Sequence, residues 1–304
     1  MFCPTGLQIR LRSDDIEAVV TEVGGGLRSL RAAGRDLIAG FLPDQLRPVY
    51  RGAVLAPWPN RVADGRYTWD GERHQLALNE PDRRNALHGL VAWAPWTPTR
   101  VDDSSAVLTT RLRPQPGYPF QLDLTATYEL DSTGLTWQLD AVNTGVEDAP
   151  YGASVHPYLI AGAGRVDDWT LTLPADRWLD VDPERLLPTR VRDVQDTPFD
   201  LRTGRPLRGA EVDHAFTQLT PGPDGRVHAV LRGADGTGVA LEWRADDLPW
   251  VQVHTADRPE PELHRAALAI EPMTCPPNAL QSGEDVVRLT PGGSHSVRWH
   301  IHPL

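Results

Sequence analysis

Residues 121–141 read QLDLTATYELDSTGLTWQLDA. Leu122, Leu124, Ala126, Tyr128 and Leu130 fall on one side of this stretch, and Gln121, Asp123, Thr125, Thr127 and Glu129 on the other. After Asp131-Ser132-Thr133-Gly134 the alternation resumes with Leu135, Trp137, Leu139 and Ala141. Successive side chains of an extended chain point to opposite faces, so a period of two marks a strand with one face buried. The four residues between the runs are turn formers. The stretch therefore predicts an antiparallel hairpin with a four-residue loop.

The same period recurs outward from this hairpin. It runs through Leu7, Ile9 and Leu11; Trp169, Leu171 and Leu173; Val239, Leu241 and Trp243; Val251 and Val253; and Val297, Trp299 and Ile301. The 28 prolines and 26 glycines are spread from end to end, and helical spacing is nowhere sustained over three turns. Many short strands at close spacing indicate an all-β fold, a large antiparallel β-sandwich or barrel. The loop-rich segment Gly204–Gly225 contains Asp213 and His214 and is not cut as a linker, so a single domain over residues 1–304 is expected. The ten tryptophans suit a broad core. Trp58 and Trp93 lie next to polar clusters and are candidates for an apolar platform beneath a sugar.

Composition removes several function classes. All 30 basic residues are arginine. Schiff-base, pyridoxal-phosphate and P-loop chemistry each need a lysine amine, so this chain cannot supply them. A net charge of -11 without a basic run argues against nucleic acid. Cys3 and Cys275 can form one bridge at most, and no CxxC pair suggests zinc. Residues 1–12, MFCPTGLQIRLR, do not resemble a secretory leader, and apolar runs reach only about five residues against the ~20 of a bilayer span. A cytoplasmic protein with no membrane partner, present as a monomer or homodimer, is expected.

Residue types with chemical reach gather in five places. Asn60 and Arg61 follow an apolar, proline-rich stretch, where the arginine offers a planar fork of donors; its ordinary alternative is a pair with a nearby acid such as Asp64. His88 precedes Gly89 in an apolar run. His156 precedes Pro157, which biases it to extended backbone suited to presenting the ring into a cavity. Asp213 and His214 are adjacent, so on a strand only one of them can face a given site. Glu271 ends an apolar alternation, and a carboxylate there is costly unless paired or used. His300 and His302 are spaced to share a strand face, but no acid stands beside them and no metal site is expected.

Taken together, these clusters resemble the aldose 1-epimerase family, the galactose mutarotases. The matching stretches are Ala56-Pro57-Trp58-Pro59-Asn60-Arg61 with Ala63-Asp64-Gly65-Arg66-Tyr67, Asn79-Glu80-Pro81 with Leu87-His88-Gly89, and His156-Pro157-Tyr158. They continue in the family's order with Asp213-His214-Ala215-Phe216, Val251-Gln252-Val253, and Glu271-Pro272-Met273 with Pro277-Asn278-Ala279. The resemblance implies a galactose mutarotase-like supersandwich with the site in an open groove. It implies His156 as general acid and Glu271 as general base, with Asn60, Arg61, His88, Tyr158, Asp213 and Gln252 holding the sugar, and it requires no cofactor.

Mutarotation needs a proton taken from the anomeric hydroxyl and one given to the ring oxygen. We expect the two groups on opposite sides of the hemiacetal, across a pocket about as wide as a pyranose, with neighbouring carboxylates raising the pKa of His156. Three rivals remain at this level. Asp213 with Glu271 could form the carboxylate pair of a glycoside hydrolase. The sandwich could be a non-catalytic carbohydrate-binding protein. The substrate could carry a phosphate or sulfonate held by some of the arginines.

Overall fold

The computed structural model describes residues 2–304. The hairpin forms as the alternation predicts. Leu122–Leu130 pairs with Leu135–Asn143 in continuous register from Leu122↔Asn143 to Leu130↔Leu135. Asp131 Oδ1 accepts from the amides of Thr133 and Gly134 and closes the loop. Leu122, Leu124, Ala126, Tyr128, Leu135, Trp137, Leu139 and Ala141 are all buried.

This hairpin is the middle of a nine-stranded antiparallel sheet. From one edge the strands are Thr97–Val101, Ser105–Leu112, Leu122–Leu130, Leu135–Asn143, Ser294–Pro303, Gly238–Trp243, Val227–Arg232, Thr170–Thr172 and Arg205–Pro206. A second, eight-stranded antiparallel sheet runs Pro188–Asp193, Ala175–Val181, Asp213–Leu219, Trp250–His254, Leu268–Met273, Ser154–Val155 and Val54–Leu55, with Tyr158–Leu159 also paired to Leu268–Met273. A four-stranded sheet over residues 8–36 precedes both. The apolar faces meet in one large buried cluster that includes Leu11, Leu30, Trp137, Leu171, Phe216, Leu241, Val253 and Trp299. The predicted all-β antiparallel architecture is the observed one.

The alternations at Trp169–Leu173, Val239–Trp243 and Val297–Ile301 place their apolar residues in this core, whereas Leu7 stands exposed ahead of its strand. The sole α-helix among the described residues is the single turn Ala279–Ser282. Both cysteines are free. Trp58 is buried in the main core and cannot act as a platform. His302 does have an acid partner, contrary to expectation: its Nε2 lies 2.7 Å from Glu242 Oε1. Sequence adjacency misses this, because Glu242 reaches it across neighbouring strands. No helix among the described residues is long and apolar enough to cross a membrane.

Candidate active site

The eight-stranded sheet carries four of the eight predicted site residues, Tyr158, Asp213, Gln252 and Glu271. Trp250–His254 lies between Asp213–Leu219 and Leu268–Met273, with Gln252 opposite Glu271 and His254 opposite Asp213. Gln252 and His254 are two residues apart and so share a face, and their partners bring Asp213 and Glu271 to it. His156 follows the strand Ser154–Val155, which pairs with the far side of Leu268–Met273. Its amide donates to Ala53 O at 3.1 Å and its carbonyl accepts from Gly52 N at 2.8 Å, so its backbone is held on both sides.

Asn60, Arg61 and His88 come from a separate small hairpin. Arg61–Ala63 pairs with Asn85–Leu87, and Arg61 faces Leu87. Asn60 and His88 therefore sit together at its open end. The Asn60 amide donates to His88 Nδ1 at 3.3 Å, which puts the proton of a neutral ring on Nε2. Gly89 must be glycine here: its φ is +71°, and a Cβ would stand 2.1 Å from Ala56 O. Asn278 ties the same hairpin to the end of the chain, donating its amide to Arg61 O at 2.7 Å and accepting from Ala63 N at 2.9 Å.

These residues line one groove of about 540 Å³, a volume ordinary for a small-molecule site. Asn60, Arg61, His88, His156, Tyr158, Asp213, Gln252 and Glu271 all contribute to its wall. At its base His156 Nε2 lies 3.4 Å from Glu271 Oε1, and the two residues are 5% and 2% exposed. They are side by side, not on opposite walls as expected. The geometry remains suited to a hemiacetal, because the hydroxyl and ring oxygen that exchange protons are both bonded to the same carbon. Tyr158 stacks on His156 at 5.0 Å and 14°, and Arg51 lies over the other ring of that stack. Gln252 Nε2 donates to Asp213 Oδ1 at 2.7 Å. The second oxygen of Glu271, the amide oxygen of Gln252 and Nδ1 of His156 are buried with no protein partner. Such groups call for a polar ligand.

Arg61 is paired, but not with Asp64. Its Nε and Nη2 grip Glu80 at 3.0 and 3.1 Å, while Asp64 is taken by Arg185 at 3.0 Å. Of the adjacent pair, Asp213 turns to Gln252 and His254, and His214 packs its ring on Trp178 and Phe199.

Burial sets the charges. It pushes the carboxyl of Glu271 well above the usual range, with Asp213 adding to the rise. It pushes His156 down to about 3, with His254 acting in the same direction. The expected upward shift of His156 does not occur, because loss of water outweighs the carboxylates nearby. His88 is likewise held neutral, by burial and then by His156, Arg61 and His254. Burial also works to neutralise Asp213, but His254, Arg61 and the Gln252 amide outweigh it and keep the carboxyl below its ordinary range.

Two groove residues, Tyr50 and His254, escaped the sequence reading. Tyr50 has its ring 4.7 Å from His88 and roughly parallel to His156 at 6.5 Å; it sits in an irregular loop with no periodic signal. Trp93, the other platform candidate, is 45% exposed and lies behind Tyr50 at 5.8 Å, outside the groove lining. His254, with Nδ1 3.7 Å from Asp213 Oδ1, was findable from its i+2 spacing to Gln252. Glu80 stood within a matching stretch, but only its contact with Arg61 reveals its part.

Comparison with known proteins identifies the family of the chain. The aldose 1-epimerase family matches residues 7–302. The uncharacterised protein YihR of Escherichia coli K12 is 34% identical over 303 residues, covering 99% of this chain and 94% of its own. Bovine galactose mutarotase is 32% identical over 276 residues, covering 82% of this chain and 77% of its own. In fold, a GalM/aldose epimerase homologue from C. elegans superposes with a TM-score of 0.86 at 20% identity, covering 98% of both chains. Galactose 1-epimerase from Lactobacillus acidophilus gives 0.82 at 23% identity, covering 98% of this chain and 94% of that one. The chain belongs to the aldose 1-epimerase family of isomerases.

Proposed function

We infer that the protein interconverts the α and β anomers of a free aldohexose by acid–base ring opening and reclosure. The observation that carries this is the buried contact of His156 Nε2 with Glu271 Oε1, 3.4 Å apart at the base of a groove rich in hydrogen-bonding groups. Relatives named galactose mutarotase, from rat and cattle, are 35% and 32% identical to this chain, which supports the same reaction class here.

In this reading the pair shares one proton. Burial leaves that proton on Glu271 in the resting pair; passed to His156 Nε2, 3.4 Å away, it leaves Glu271 as carboxylate to take the proton of the anomeric hydroxyl while His156 gives one to the ring oxygen. The bond from C1 to the ring oxygen breaks and a carbonyl forms at C1. Rotation about C1–C2 presents the other carbonyl face. The ring hydroxyl then attacks C1, His156 recovers its proton, and Glu271 protonates the new anomeric oxygen. Asp213, ionised, accepts from sugar hydroxyls; His88 donates from Nε2; Arg61, fixed by Glu80 and with Nη1 3.5 Å from Asn60 Oδ1, holds its remaining N–H for the sugar; and Asn60, Gln252 and Tyr158 complete the wall. Each charge-assisted hydrogen bond of this kind is worth roughly 1.5–3 kcal/mol. No proton need come from solvent, and this chemistry asks for neither cofactor nor covalent nucleophile.

A specific observation favours a second reading, in which the hexose carries an anionic substituent. Arg83 and Arg258 also line the groove. Arg83 Nη1 is 3.8 Å from Glu80 and Arg258 Nε is 3.6 Å from Glu260, so neither makes a close ion pair. A rotation-decay panel with fresh anomers of glucose, galactose, sulfoquinovose and a hexose 6-phosphate separates the readings. Preference for neutral hexoses supports the first and preference for the charged ones the second. A rate equal to buffer for all four would leave a carbohydrate-binding protein. Release of sugar from an aryl glycoside would mean a hydrolase.

A further inference from the structure

Given the anomer interconversion inferred for this groove, we propose that Tyr50 is its sugar platform, the residue on which the C–H face of the hexose ring packs, and that Arg47 is the positioning residue that holds it there. A pyranose carries hydroxyls round its edge and C–H bonds on its faces. The hydrogen-bonding side chains of the wall suit the edge, and a face calls for an apolar or aromatic surface. Two aromatic rings besides the imidazoles line the groove, Tyr50 and Tyr158. Tyr158 already stacks on His156 at 5.0 Å and carries the Arg51 guanidinium 5.6 Å from its centre. Tyr50 is half-buried, with its ring set edgewise to His88 at 4.7 Å and within 13° of parallel to His156 at 6.5 Å. It thus stands beside the imidazole that serves the ring oxygen. Its hydroxyl accepts from Asn79 Nδ2 at 3.4 Å, outside the groove lining, which leaves the ring itself for the sugar.

The backbone under Tyr50 is imposed on it. Val49 and Tyr50 have φ of +41° and +58°, left-handed values that β-branched and bulky residues rarely adopt. Such a conformation persists only where the surroundings over-determine it. Arg47 supplies that constraint. It is 3% exposed and makes no ion pair among the described residues. Its Nη1 donates to Ala92 O at 2.6 Å and its Nη2 to Val23 O, so the guanidinium is gripped by two carbonyls from separate segments. Gly24 and Gly26 make room for it: a Cβ there would stand 2.4 and 2.8 Å from its nitrogens. Burial pushes Arg47 down to about 10, so it stays charged at neutral pH and both grips are charge-assisted. On the far side of Tyr50, Arg51 Nη1 donates to Gly40 O at 3.0 Å. The turn that presents the ring is thus pinned at both ends.

Calorimetry gives the Kd of the full chain for each sugar of the rotation panel, and rotation decay gives kcat and KM. Tyr50→Phe keeps the ring and should bind within about 3-fold of the parent. Tyr50→Ala should raise Kd and KM roughly 10-fold and leave kcat within about 3-fold, the mark of lost uniform binding. Arg47→Met should raise Kd as well. Combined with Tyr50→Ala it should bind no more weakly than Tyr50→Ala alone, because it acts through that ring. If Arg47→Met does not fold, Arg47→Lys takes its place in the same cycle. Parental affinity in Tyr50→Ala overturns the platform, as does a loss in Tyr50→Phe equal to that in Tyr50→Ala. Additive losses in the double variant overturn the role of Arg47. A parent protein that binds a sugar but leaves its rotation at the buffer rate overturns the isomerase reading alone, and one that binds none of the sugars overturns both.

Discussion

Water withdrawn from around His156 and Glu271 disfavours charge on either, and this fixes how activity should respond to pH. At ordinary values, about 6.5 and 4.3, a protonated histidine and an ionised glutamate would coexist only in a narrow acidic window. Here the second proton is hard to add, because His156 is pushed down to about 3, and the remaining proton is hard to remove, because Glu271 is pushed up. The singly protonated pair thus persists across a wide range, and its two apparent pKa values belong to the pair. We predict that kcat/KM is flat within about twofold from pH 5 to pH 8. A fall centred near pH 6.5 would assign the acid to an ordinary, solvated histidine. Sequence made the identities of His156 and Glu271 legible, but not their protonation. That depends on Leu268–Met273 being buried along its whole length, a property of the assembled sheet.

At the scale of elements, the small hairpin that presents Asn60 and His88 is the sensitive part. Gly89 and Gly71 both have positive φ, but only Gly89 is crowded, by Ala56 O at 2.1 Å; nothing lies within 4 Å of the Cβ position of Gly71. Gly71→Ala should cost about 1 kcal/mol or a little more for backbone strain alone. Gly89→Ala should cost at least about 3 kcal/mol and raise KM, because relieving the clash moves His88. Urea unfolding of both variants beside sugar kinetics checks this; equal costs would contradict it. Local elements were legible where pattern is local, as in the 121–141 hairpin. They were not legible where partners are distant: Arg61 takes Glu80, not Asp64, because pairing with Asn85–Leu87 folds the chain back on itself.

For the whole molecule, the two large sheets share a core of alternating inward residues, and the groove belongs to only one of them. Leu139, fully buried at the centre of the nine-stranded sheet, should cost 2–5 kcal/mol on Leu139→Ala, read as a lower urea midpoint. The folded fraction should retain parental kcat, since Leu139 is not in the groove wall. A loss of kcat out of proportion to unfolding would mean that the sheets are coupled through the core. Sequence identified the fold class through its period of two, but the strand order depends on long-range pairings. Leu135–Asn143, for example, takes its other neighbour from Ser294–Pro303. The same long-range order puts Asp213, Gln252 and Glu271 on three adjacent strands, and no spacing along the chain displays it.

The proton pair is tested most directly by the decay of optical rotation of a fresh anomer of the preferred hexose, with Glu271→Gln and His156→Asn beside the parent protein. Each variant should fold, bind the sugar and lose at least about 10²-fold in kcat. Parental turnover by Glu271→Gln, folded and saturated with sugar, would contradict the assignment.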